Sequence, residues 1–87
     1  MTITDDITKA LMEADTTVEA TTDDEGPRRY ALEAGIRTCG IPGVRAARVD
    51  SAELVGFIQR ATAAHRHAEY SDIAELIVAE FNLDEEN

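Results

Sequence analysis

The 87-residue sequence predicts a mainly α fold, a small four-helix domain with helices at about 4–14, 27–39, 51–67 and 72–82. Two observations carry the prediction. Apolar residues recur at three- and four-residue spacing within these segments, and helix start and stop signals bracket them. The sequence also leaves room for short strands at 16–22 and 44–49, and for an alternative α+β fold with a hairpin 16–22/29–37.

The first helix opens on Thr2 or Thr4 as N-cap, with Asp5 and Asp6 near the positive helix end. Ile3, Ile7, Ala10, Leu11 and Ala14 then fall on one face. Residues 16–22 are rich in β-branched side chains, which suits a short strand, and 23–26 form an acidic, turn-like cluster. Residues 27–39 carry two patterns at once. Tyr30, Leu32, Ala34 and Ile36 alternate as a strand would, whereas Ala31, Leu32, Gly35, Ile36 and Cys39 share a helical face. The end signals, Gly26-Pro27 and Gly40-Ile41-Pro42, favour the helix. So does the propensity of the Tyr-Ala-Leu-Glu-Ala run.

Residues 43–49 read as irregular or briefly extended. Asp50 and Glu53 have capping-box spacing and open the longest helix, whose apolar side holds Leu54, Val55, Ile58, Ala61 and Ala68, flanked by Phe57. Ser71 caps the last helix, with Ile73, Leu76, Ile77 and Phe81 inward. Residues 1–87 form a single domain, and 83–87 read as a disordered acidic tail.

A chain of this size buries only about 60% of its unfolded surface. Alanine supplies fourteen of its apolar residues, so the core is thin. No leader or long apolar run stands out, and the lone Cys39 excludes an internal disulfide. A reducing cytoplasm is the compartment these features predict.

Charge is unevenly placed. Residues 1–25 hold eight acids and Lys9; residues 26–68 hold seven arginines against Glu33, Asp50 and Glu53; residues 69–87 hold seven acids and no base. The net charges are therefore −7, +4 and −7, which sum to −10. Either the acidic ends fold back on the arginines, or they face a basic partner and steer its approach. A salt-adapted surface is the bland alternative, in which the acids only hold water.

Chemical motifs are sparse. His65 and His67 lie two apart, so on a helix they point about 200° from one another and cannot share an ion. His65 with Glu69 supplies only two ligands, too few for a closed zinc site. Cys39 falls in phase with Leu32 and Ile36, as a small buried apolar residue. No phosphate loop, paired-carboxylate signature or hydrolase motif is present. The sequence thus predicts no enzyme, no cofactor and no metal.

Two short resemblances deserve statement. The run Ala31-Leu32-Glu33-Ala34-Gly35-Ile36 resembles the first helix and turn of helix-turn-helix DNA-binding proteins. That implies a turn at Gly35, with phosphate contacts from Arg28, Arg29, Arg37, Arg45 and Arg48. It departs from the pattern at Gly40, Pro42 and Gly43, helix breakers where the recognition helix would run. The run Asp50-Ser51-Ala52-Glu53-Leu54-Val55 resembles the attachment region of acyl or peptidyl carrier proteins, implying Ser51 as the attachment residue. Here Ala52 replaces the customary Leu, and Val49 stands where a Gly is usual.

The function the sequence predicts is non-enzymatic binding to a basic, nucleic-acid-binding surface of a protein partner. The contacting residues would be Asp23, Asp24 and Glu25 with Asp72, Glu75 and Glu80. Neither a membrane nor direct binding of nucleic acid is expected. Small acidic inhibitors encoded by phages work on this physics as nucleic-acid mimics; the likeness is one of composition, and no motif carries it.

Overall fold

In the computed structural model, which describes residues 2–19, 26–65 and 67–83, the chain forms five helices in the order α1 (Ile3–Glu19), α2 (Gly26–Cys39), α3 (Pro42–Ala46), α4 (Ser51–Ala64) and α5 (Tyr70–Glu80). The mainly α, four-helix prediction is correct in kind, with one short helix added. α1 packs on α2 and α5, and α4 packs on the same two, so the four long helices surround a shared core with α2 across from α5. Ile3, Ile7 and Leu11 of α1, Val44 of α3, Leu54 and Ile58 of α4, and Ile73 and Ile77 of α5 fill that core.

No strand occurs among the described residues. Where a strand was expected at 16–22, α1 continues to Glu19; residues 20–22 lie outside the described residues. Thr16 and Thr17 sit within the helix, their hydroxyls donating back to the Met12 and Glu13 carbonyls at 3.0 and 2.9 Å. The proposed pairing strand, 29–37, lies wholly within α2. At the N-terminus Thr2 is the cap: its Oγ1 accepts from the Asp5 amide at 3.2 Å.

The expected extended stretch 44–49 is instead one turn of helix, α3, followed by a turn. Pro42 at its first position presets φ, and buried Val44 pins the turn to the core. The stop signal of α2 therefore doubles as the start signal of α3. Arg48 ends this turn in the left-handed region, with φ of 56°.

α4 ends at Ala64 rather than 67, because His65 leaves the helical region, with φ of −121° and ψ of 65°, as the C-cap. α5 begins at Tyr70 and ends at Glu80, two residues earlier at each end than expected. Its N-cap is Glu69, not Ser71, and the Glu69 amide donates to Asp72 at 3.1 Å. At the other end Asn82 adopts φ of 52°, and the Leu83 amide donates to the Val78 carbonyl at 3.0 Å. This left-handed cap turns the chain back so that Leu83, assigned by sequence to the tail, is buried. Residues 84–87 lie outside the described residues. Phe81 then meets Phe57 of α4 edge to face, with centroids 5.7 Å apart.

Candidate functional site

The residues assigned to partner binding fall into two groups. Asp23, Asp24 and Glu25 lie outside the described residues. Asp72, Glu75 and Glu80 all sit on α5 and are exposed. At about 100° per residue these three span an arc of about 140°, centred about 110° around the helix from Ile73 and Ile77. Among the described residues none of the three forms an ion pair. Asp72 has a second duty, because its carboxylate accepts the Glu69 amide and holds the start of the helix.

One arginine of the middle of the chain reaches an acid of the N-terminal block. Arg37 of α2 pairs with Glu13 of α1 at 3.1 Å and with Glu33 one turn earlier at 3.2 Å, and it donates to Thr17 at 3.2 Å. The acidic N-terminal block is thus partly quenched by the chain itself, and the outward face of α5 is not. Beside the Arg37 pairs runs an open groove of about 470 Å³, lined by Lys9, Met12, Thr16 and Thr17 as well as Glu13 and Arg37.

A different cluster ties α1 to α5. The Tyr70 hydroxyl donates to the Asp15 carboxylate. Tyr30 of α2 lies close by, and burial first, then the neighbouring Tyr70 and Asp15, push its phenol up to about 12.

The remaining chemically suggestive residues are placed as follows. Cys39 is half-buried, and burial with Asp50 beside it raises its thiol, the reverse of what activates a nucleophile. Its supposed companions Leu32 and Ile36 face solvent, at 49% and 61% exposure. The buried face of α2 is Ala31, Ala34, Gly35 and Thr38 instead. Gly35 makes no turn; α2 runs through it unbroken, which removes the helix-turn-helix geometry expected there. Asp50 caps α4 by accepting the Ala52 amide at 2.9 Å, and Ser51 beside it is exposed at the first helical position. His65 and His67 are both exposed beyond the end of α4. Among the described residues no group of three or more His, Cys, Asp or Glu stands together as metal ligands. No helix among them is long and apolar enough to cross a membrane.

Sequence reasoning missed the outward apolar residues, Leu32 and Ile36 on α2 and Leu76 on α5, the last of which was placed inward. A signal for the α2 pair was present. Four small residues, Ala31, Ala34, Gly35 and Thr38, also recur at helical spacing and mark a face built for close approach. Comparison with protein-family models, with curated proteins and with solved structures finds no match for this chain.

Proposed function

We propose that this chain is a non-enzymatic acidic binding protein that engages a basic, nucleic-acid-binding surface of a protein partner, as small phage-type inhibitors do. The observation that supports this is the outward face of α5. Glu69, Asp72, Glu75 and Glu80 are all exposed, and no base occurs from residue 69 onward. They span about 16 Å of helix axis at 1.5 Å per residue, an average spacing of about 5.5 Å. One strand of B-DNA presents a charge about every 3.4 Å. A surface of Lys and Arg shaped to follow phosphates would therefore meet a row of negative charge at somewhat more than half the linear density of a DNA strand. Asp23, Asp24 and Glu25 join the proposal on charge alone.

The test is capture from extracts of the native host or its target cell on the immobilised protein. Captured proteins are expected to be basic, to be displaced by duplex DNA, and to be lost steeply as salt rises. Glu75→Lys combined with Glu80→Lys should reduce capture about tenfold. Capture that ignores salt, duplex DNA and the double reversal would overturn the proposal.

A further inference from the structure

Two helices that lie across the bundle from one another each present charged side chains, mainly of one sign, around exposed apolar ones. On α2, Arg28, Arg29, Leu32 and Ile36 lie within about 100° of arc. All four are exposed, and together with Glu33, which pairs with Arg37, they border an open groove of about 500 Å³. On α5, Asp72, Glu75 and Glu80 surround Leu76, which is 37% exposed. Among the described residues neither apolar group is covered by another element.

The two faces also match in how their charges sit along the helix. Arg28 lies in the first turn of α2, where the helix end is itself positive, and that turn contains no acid. Glu80 lies in the last turn of α5, where the helix end is negative, and that turn contains no base. Each charge is opposed by the dipole of its own helix. Antiparallel contact between α2 of one molecule and α5 of another brings Arg28 to Glu80 and sets each helix end against one of opposite sign. It also lays Leu76 against Leu32 and Ile36, one turn further along.

We infer that the α2 face binds the α5 face of a second copy of this chain, an unsymmetrical contact between unlike surfaces. An α2-to-α2 contact would cover Leu32 and Ile36 but offer Arg28 only Glu33, which Arg37 already holds. Since the two faces lie on opposite sides of the molecule, one pair of molecules cannot make both contacts at once. Association therefore continues into rings or open chains rather than stopping at a closed dimer. The net charge of −10 does not forbid this at physiological salt, where charges separated by more than about 8 Å are largely screened. The inference does not rest on the proposed basic partner, which would compete for α5.

The test is sedimentation velocity on the purified chain alone, up to about 1 mM, at low and physiological salt. The wild-type chain is expected to form concentration-dependent dimers and larger species. Arg28→Glu and Glu80→Arg should each weaken association about tenfold. Both reversals suit the dipole of the helix that carries them, so lost association would not reflect lost folding. Mixing the two variants is the decisive arm. The unaltered α2 of Glu80→Arg still meets the unaltered α5 of Arg28→Glu, so the mixture should associate where neither variant does alone. A wild-type chain that stays monomeric overturns the inference, as do single variants that associate normally or a mixture that stays apart. These outcomes leave capture of a basic protein to be decided separately.

Discussion

Helices α2 and α5 occupy equivalent places, each packed between α1 and α4, yet they make their contacts by different means. α5 puts large side chains inward, Ile73 and Ile77, and carboxylates outward. α2 inverts the usual rule, with Ala31, Ala34, Gly35 and Thr38 inward and Leu32 and Ile36 outward. The difference shows that a helix can be buried by bulk or by closeness. Bulk fills space at a distance, whereas small residues let two backbones approach and leave the large residues of the same helix to solvent.

The largest expected effect tests this contrast directly. Ile77→Ala on α5 should cost about 3 kcal/mol, because the side chain is wholly buried and its removal opens a cavity. Ile36→Ala on α2 should change stability by less than about 0.5 kcal/mol despite removing the same atoms. Urea unfolding midpoints at constant slope would measure both. Equal losses would place Ile36 inside the fold and undo the comparison.

Closeness is tested at Gly35. A β-carbon added there would stand 2.4 Å from Cγ2 of Val55, well inside contact distance. Alanine would gain about 1 kcal/mol in helix propensity over glycine. Overpacking against a stiff β-branched neighbour costs more, so Gly35→Ala should lose about 1–2 kcal/mol overall. Val55→Ala in the same chain should recover most of that loss, and a double-mutant cycle should give a coupling above about 1 kcal/mol. Independent, additive effects would mean that the two helices are not in tight contact at this point.

The same contrast explains what could be read before the structure. α1, α4 and α5 follow the pattern of large apolar residues at helical spacing, so their existence and inward faces were legible, Leu76 excepted. α2 was legible as a helix from its end signals, but its facing was not, since Leu32 and Ile36 dominate any reading by size. α3 was hidden because Pro42 served in the sequence as a stop. The boundaries of α5 were hidden because Glu69 caps it less conspicuously than Ser71 promises, and because Asn82 reverses the chain where helix seemed set to continue. Of the acidic residues, sequence spacing already placed Asp72, Glu75 and Glu80 on one helix. Sequence could not say that Arg37 would take up Glu13 and Glu33 while leaving α5 unpaired, since that depends on which helices become neighbours.

The smallest effect at neutral pH arises at Tyr30 of α2, which feels Tyr70 of α5 and Asp15 of α1. In the unfolded chain Tyr30 gives up its proton near its ordinary value of 10.0, and in the folded protein near 12. Below about pH 10 both states hold the proton, and the stabilisation is fully present. Between about pH 10 and 12 the folded state binds more protons than the unfolded one, so stability must fall as pH rises. Tyr30→Phe removes the titrating group and should flatten this part of the pH profile relative to the wild-type chain, as read from unfolding midpoints. Burial is the largest cause of the shift, and the charge of Asp15 the smallest. Asp15→Asn should therefore preserve most of the slope while weakening the tie to Tyr70. If Asp15→Asn flattens the profile as fully as Tyr30→Phe does, the phenol is governed by a neighbouring charge, and the close packing inferred for this end of α2 is wrong.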